Sequence, residues 1–518
     1  MKLLAAICAS ICVFFPITLH AQTIVLKSKT GNVRVDGTLV EFDGEYYRVK
    51  TDLGLLTIDN RTVNCSGEGC PAAQDMVSRF AISATGGLGQ VLVPALLEAF
   101  SLSLGAEVTI ENPTRDSQTL RIQDGDRNEI AKIDISVASE DVSYANLAQG
   151  GGVFVAVSRP PNQAEHAAIE DTGLGDLKNA DQKQIMASNG IIMAVASTNP
   201  LKAISVSNLR NILLGDITNW RDVGGPDVAI DLYLAKNESG FDTILNKSLL
   251  GLKPSQITTS ATLLNSLSDV SDAAASNPFG LGVTSFSNLR NANALGLKGV
   301  CGIYSVPSIF SIKSGDYPLT YNHFFFRTNQ RLPLFAREFL DFAESDQAQN
   351  VIRANGYGDL AISSLSLNQQ GLRLANAIAH TGKGMPGATL QEMVGLQNGA
   401  NRLSSTFRFL SESKTLDVQS QQNISLLVSG LILGNYADKQ VHIMGFTGSG
   451  GSSSRNIEEA RKQAEIVLSA LIADAPDGSL DDVDFHTSGF GEASPLACDD
   501  TEVGKNINRR VEIWIKSP

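Results

Sequence analysis

The sequence predicts a multidomain α/β protein: a small β module first, a two-lobed α/β unit in the middle, and a smaller α/β unit last. Three observations carry this. The chain has 518 residues, room for about three to four domains of ~150 residues each. From Asp75 to Leu365, strand-like apolar runs alternate with stretches whose apolar residues keep helical spacing, which is the pattern of an α/β unit. After residue 400 the pattern returns on a smaller scale, with one long amphipathic helix between apolar strands.

The first residues read as a leader. Lys2 precedes the apolar run Leu3 to Leu19, and Leu19-His20-Ala21 is a small-residue cleavage pattern, so residues 1–21 are expected to be a secretory signal peptide cut after Ala21. Beyond it no apolar run reaches the ~18 residues needed to span a bilayer. Residues 22–74 form the expected β module. Its β-rich runs are Thr23 to Leu26, Val33 to Val35, Thr38 to Phe42, Tyr46 to Val49 and Leu55 to Ile58, punctuated by Gly31-Asn32, Asp36-Gly37, Asp43-Gly44 and Asp52-Leu53-Gly54. Cys65 and Cys70 flank a glycine-containing loop that can close as a local disulfide; a metal site would need further ligands nearby, and the sequence shows none. Cys301 and Cys498 read equally as buried thiols or as a bridge between domains.

In the middle unit, 75–365, the predicted strands include Phe80 to Ser83, Val153 to Val157, Ile191 to Ala196, Ile230 to Leu234 and Leu281 to Thr284. The first runs into Ala84-Thr85-Gly86-Gly87-Leu88-Gly89 and then a helix carrying Leu92, Leu96, Ala99 and Phe100. A strand, glycine turn and helix can cradle an anion on free N–H groups and the helix dipole, with Ser83 and Thr85 as added hydroxyl donors. The same turn also calls for glycine on steric grounds alone. Residues 366–400 read as a helical connector. In the last unit, 401–518, the strands are Gln440 to Phe446, Val483 to Thr487 and Arg510 to Ile515; the helix Asn456 to Ala473 turns Ile457, Ala460, Ala464, Val467, Leu468 and Leu471 inward.

Composition narrows the function. Hydrophobic residues make up 43% and charged residues 18%, which is globular. A net charge of −13, from 41 basic and 54 acidic residues, opposes phosphate backbones, so nucleic acid is not an expected partner. The six histidines show no paired ligand spacing, no Gly-x-Ser-x-Gly elbow is present, and Cys301 and Cys498 carry no nucleophile signature. No enzyme, metal or cofactor is expected.

Several segments in order resemble phosphate-type periplasmic substrate-binding proteins: FAISATGGLGQVLVPALLEAF at 80–100, VSNLRNILLGDITNWRDVGG at 206–225, NPFGLGVTSF at 277–286 and FLDFAESDQAQNVIRANGY at 339–357. The resemblance covers about 280 residues and implies the type II periplasmic-binding fold, with ligand held between the lobes by helix ends and hydroxyls. On this chain it implies Ser83, Thr85 and Gly86 as one cradle and Ser239-Gly240 as a second, with Ser139, Ser158 and Arg159 as further cleft residues. For Arg159 the competing reading is a surface ion pair at the cleft rim. The chain departs from the pattern where Phe241 replaces a threonine, Ala235 (beside Lys236) an arginine and Val153 an acid. Each lost charge-assisted partner is worth on the order of 1.5–3 kcal/mol. A different oxyanion, a larger ligand or no ligand are the alternatives this opens.

The C-terminal segments VHIMGFTGSGG (441–451), RNIEEARKQAEIVLSAL (455–471) and GFGEASPLACDDTEVGKNINRRVEIWI (489–515) resemble an OmpA-like peptidoglycan-binding domain. The resemblance implies wall contacts from Thr447, Asn456, Arg461 and Arg509; strand alternation lets at most one of Arg509 and Arg510 face a groove. The family's Asp and Arg, which would hold the ammonium and carboxylate of diaminopimelate, are Gly448 and Gln463 here. The expected protein is thus an exported, periplasmic solute-binding protein for phosphate or another small oxyanion, tethered to the cell wall or outer membrane. Its expected partners are that ligand, peptidoglycan and an envelope protein. The alternative is a structural or interaction protein of the envelope that has lost both ligand sites; a cleft filled by Phe241 and Val153 would favour it, an open polar cleft would not.

Overall fold

The computed structural model describes residues 23–31, 33–42, 44–71, 77–236, 245, 256–381, 384–410 and 413–518. The expected signal peptide, and Ser239, Gly240 and Phe241, lie outside the described residues.

Five antiparallel strands make the N-terminal sheet: β1 (Thr23–Ser28), β2 (Arg34–Phe42), β3 (Tyr46–Thr51), β4 (Gly54–Asp59) and β5 (Val63–Ser66), in the order β4-β3-β2-β1-β5. The expected turn at Asp36-Gly37 is absent, and β2 runs through it. Gly37 answers a close approach instead: a Cβ there would lie 2.5 Å from Val49 Cγ1. Cys65 and Cys70 form the local disulfide. The sheet docks on the next unit through buried Glu45, whose carboxylate accepts from Arg331 and Arg337. The Arg331 guanidinium also lies 4.0 Å over the Tyr46 ring.

The strands of the middle unit are β6 (Ser78–Ala84), β7 (Glu107–Glu111), β8 (Ser117–Gln123), β9 (Glu129–Val137), β10 (Phe154–Val157), β11 (Lys183–Val195), β12 (Ala203–Ser205), β13 (Asp231–Ala235), β14 (Thr262–Leu264), β15 (Gly280–Ser285), β16 (Asn293–Ala294), β17 (Gly296–Lys298), β18 (Tyr304–Ser305) and β19 (Thr320–Arg327). Its main sheet runs β14-β13-β15-β11-β19-β10-β6-β9-β8-β7. The long strand β11 joins two lobes: Lys183 to Gly190 pair with β19, and Ile191 to Ala194 pair with β15. It is buried over most of its length, as a strand covered on both faces must be. Each lobe has its own core, with Ile82, Leu96, Ile133, Phe154 and Phe339 in the first, and Ile192, Leu209, Trp220, Leu281 and Val283 in the second. β7 is an addition to the predicted strands, although Glu107-Val108-Thr109-Ile110-Glu111 alternates polar and apolar residues as a half-buried strand does.

The last sheet is β20 (Ser364–Ser366), β21 (Ala400–Arg408), β22 (Gln440–Phe446), β23 (Asp484–Gly489) and β24 (Arg510–Lys516), ordered β20-β21-β24-β22-β23. Strand alternation divides its side chains. Val441, Ile443, Val511 and Ile513 meet the helices Val418–Ile432 and Ser453–Asp474, while Met444, Phe446 and Trp514 meet Met393 and Leu390 of the helix Gly387–Gln397.

This unit is fastened to the second lobe. Cys301 and Cys498 form a disulfide across the junction. Asp316 receives Arg402 at 2.5 Å and Arg408 at 3.2 Å. Burial pushes the Asp316 carboxyl up, but Arg402 and Arg408 override it and hold it below the usual carboxylate range. Glu512 is fully buried among Arg373, Arg402 and Arg510. Among the described residues no helix is long and apolar enough to cross a membrane.

Candidate functional site

The ends of β6, β9 and β10 open toward the second lobe, and between the lobes lies a polar cavity of about 410 Å³. At the end of β6 the Thr85 N–H donates to Ala156 O at 3.0 Å, which pins the turn to its neighbour strand. Gly86 then takes φ +36°, in the left-handed region, and the chain enters the helical turn Leu88–Leu92 that leads into the helix Val93–Ser103. Gly89 sits in close contact: a Cβ there would lie 3.0 Å from both Ala84 Cβ and Val137 Cγ2, tighter than ordinary packing. The N–H groups of Leu88 and Gly89 turn back onto Thr85 O. Thr85 Oγ1 is buried without a hydrogen-bond partner among the described residues, and Thr85 lines the cavity.

Ser139 and Ser158 line the same cavity. Ser139 also caps the helix Glu140–Ala148. Ser158 N–H donates to Glu140 Oε1 at 3.2 Å, and its Oγ is 3.0 Å from His323 Nδ1. Glu140 is buried, and that burial pushes its carboxyl up to about 7 against the pull of Arg159. Burial likewise pushes His323 down to about 3, so the imidazole is neutral.

Two expected residues are placed elsewhere. Ser83 is buried with its hydroxyl 3.0 Å from Ser143 Oγ, away from the cavity lining. Arg159 is taken up by Glu165 (2.7 Å) and Asp141 (2.7 Å), an ion pair as the competing reading has it but buried rather than at the surface, and lies outside the lining as well. Val153 packs against the first-lobe core rather than into the cleft. The cations that do line the cavity are Arg115 and Lys236, one from each lobe, and Arg115 Nη2 donates across to Asn265 O at 2.7 Å. Asn189, His323 and Tyr357 also line it. Lys236 stands beside the position where the family has an arginine, and Tyr357 ends the family-like segment 339–357; Arg115, Asn189 and His323 lie in no segment that the sequence reading singled out.

In the last unit Thr447 and Asn456 converge on one segment: Thr447 N–H donates to Gly491 O at 2.9 Å, and Asn456 Nδ2 donates to Glu492 Oε2 at 2.8 Å. Gly448 faces a carboxylate from another loop, since a Cβ there would lie 3.0 Å from Asp499 Oδ2. Asp499 in turn accepts from Ser449 N–H and from Asn508 Nδ2. Gln463 is buried with Oε1 unpartnered among the described residues. Arg461 is exposed and paired with Glu458 at 2.8 Å, and Arg509 donates to Asn506 at 3.0 Å. Neither is brought to Thr447 and Asn456 by any described contact.

Two α/β lobes, joined by shared strands around a polar cleft, define a two-lobed cleft architecture, and a separate β/α unit follows it. Comparison with known proteins agrees. Residues 123–347 match the model of the PBP superfamily domain, and residues 408–509 match the model of the OmpA family. The chain therefore carries a PBP superfamily domain followed by an OmpA family domain. It is 22% identical over 263 residues to the phosphate-binding protein PstS of Borreliella burgdorferi, spanning 49% of this chain and 88% of that protein. Over 85 residues it is 37% identical to the Escherichia coli protein YiaD, covering 16% of this chain and 37% of that protein. Among solved structures, an ABC-type phosphate transport receptor from Vibrio cholerae covers 54% of this chain and 98% of its own at 18% identity, with a TM-score of 0.41.

Proposed function

We propose that this chain is an exported, periplasmic solute-binding protein for phosphate or another small oxyanion, held at the cell wall through its OmpA family domain. The observation that carries the reading is the unspent Thr85 hydroxyl in an open polar cavity between the lobes, next to Ser139 and Ser158. An orphaned buried hydroxyl costs free energy until something accepts from it, and an acceptor-rich anion does so. The likeness to PstS, named a phosphate-binding protein, supports the same ligand class. The role is binding, not catalysis.

The test is thermal melting of the full chain with millimolar phosphate or sulfate. Ligand at ~100 times its dissociation constant stabilises by about 2.7 kcal/mol, a shift of several degrees. No shift with either anion would favour the second reading, an envelope interaction protein. For the last unit a specific observation favours that second reading: Gly448 and Gln463 stand where a carboxylate and a guanidinium would clamp diaminopimelate. Co-sedimentation with purified peptidoglycan decides it, and retention in the pellet supports wall attachment.

A further inference from the structure

We infer that His323, oriented by Asn189, holds the Ser158 hydroxyl as a hydrogen-bond donor aimed at the ligand. The inference rests on reading the cleft as an anion site, and it names two residues that ready one of its hydroxyls to donate.

The reasoning starts at Asn189. Its Oδ1 accepts the N–H of Gly190 at 2.9 Å and of Ser287 at 3.2 Å. A flipped amide would set an NH₂ group against two N–H donors, so the amide has one orientation. Its Nδ2 therefore donates, to Ser287 Oγ at 2.9 Å and to His323 Nε2 at 3.3 Å. A ring nitrogen that accepts carries no proton. In a neutral imidazole the single proton is then on Nδ1.

Nδ1–H points at Ser158 Oγ, 3.0 Å away. Ser158 must accept this bond, and its own hydrogen is left to find another acceptor. No second protein partner for that hydroxyl is found among the described residues, and Ser158 lines the cavity together with Asn189 and His323. The relay thus occupies one lone pair of the hydroxyl and leaves its hydrogen directed away from His323, free to donate. Thr85 supplies a second hydroxyl with no hydrogen-bond partner among the described residues. Sulfate, which only accepts, or an unprotonated oxygen of phosphate satisfies both hydrogens. Packing holds the relay in place, because Tyr321 and Tyr357 meet the His323 ring edge to face at 5.2 Å and 5.3 Å.

The experiment has a spectroscopic arm and a binding arm, both on the full chain. Long-range ¹H–¹⁵N spectra of the histidine-labelled protein should show His323 protonated on Nδ1; protonation on Nε2 overturns the proposal whatever the cleft binds. In titration calorimetry with inorganic phosphate, His323→Leu should weaken binding about tenfold or more. His323→Asn keeps a donor nitrogen near the place of Nδ1 and should bind within about threefold of wild type. In a Ser158→Ala background the leucine substitution should cost nothing further, because the relay acts only through that hydroxyl. If the leucine variant does not fold, the asparagine and Ser158→Ala variants carry the comparison: Ser158→Ala should lose about tenfold and His323→Asn should not. Full phosphate affinity in Ser158→Ala, or a further loss on adding the leucine substitution to it, overturns the relay while leaving the anion-cleft reading intact. A wild-type protein that takes up neither phosphate nor sulfate overturns the reading, and the proposal falls with it.

Discussion

Asn322 and His323 are neighbours in β19 that serve opposite sides of it. Asn322 Nδ2 donates to Gln419 Oε1 of the helix Val418–Ile432 at 3.1 Å, while His323 stands in the cleft wall against Ser158. The two-residue period of a strand makes this unavoidable. One strand shared by the lobes therefore touches the cavity between the lobes on one face and the C-terminal unit on the other. The same helix grips β11: the Gln422 amide accepts from Ile185 N–H and donates to Ile185 O, both at 3.2 Å.

Replacing Gln422 with leucine removes both partners of the buried Ile185 peptide groups, at about 1–3 kcal/mol for each group left unsatisfied. We expect a lower melting temperature and faster amide exchange at Ile185. Wild-type exchange at that amide would mean that the Gln422 side chain does not protect it.

Thr85→Val keeps the shape of the side chain and removes a hydroxyl that has no partner among the described residues. The ligand-free protein should be as stable as wild type or more so, by up to about 1–3 kcal/mol, while phosphate binding weakens about tenfold. A stability loss without an affinity loss would assign the hydroxyl a structural role instead.

Glu140 should make stability depend on pH. Its carboxyl rises from an ordinary 4.5 to about 7 through burial, opposed by Arg159. The folded value lies above the unfolded one, so the protein takes up a proton here on folding. This contribution is complete below about pH 4.5 and is lost as pH rises through about 7. Glu140→Gln lacks it. Between pH 5 and pH 8 the stability difference should move in favour of the variant, by on the order of 3 kcal/mol. Chemical denaturation at the two pH values measures it, and a flat difference would show Glu140 ionised throughout.

The Cys301–Cys498 disulfide joins positions 197 residues apart, whereas Cys65–Cys70 closes a separation of 5. A longer closed loop restricts the unfolded chain more, and losing such a link costs about 2–5 kcal/mol. The double variant Cys301→Ser, Cys498→Ser should therefore melt well below wild type, and Cys65→Ser, Cys70→Ser only slightly below it. Equal shifts in the two variants would contradict this.

Local pattern carried much of the fold. Gln440 to Phe446 was legible as a strand because its residues alternate between two apolar cores, and the helix Ser453–Asp474 because Ala460, Ala464, Val467 and Leu471 recur on one face. The Asp36-Gly37 turn failed for a complementary reason. Glycine signals a turn locally, but here it admits the Val49 side chain of a paired strand.

The site was legible only in part. Thr85, Gly86, Ser139 and Ser158 follow strands and lie at the cavity, as their positions after β6, β9 and β10 suggest. Ser83 and Arg159 have the right residue types in the right segments, yet Ser143 claims one and Glu165 with Asp141 the other. Competition between partners is invisible along the chain.

By itself, the sequence determined the periods of the strands and helices, the order of the units and the family likeness of each, because these are written in neighbouring residues. Tertiary structure decided which distant groups meet. Ser158 and His323 are 165 positions apart and Asn189 and His323 are 134 apart; only the pairing of β11 and β10 with β19 brings them within hydrogen-bond reach. The pairing of Cys301 with Cys498 was likewise open until the last unit packed on the second lobe. Hydrogen bonds and disulfides act over a few ångströms in space, and separation along the chain says nothing about that distance once the sheet has folded.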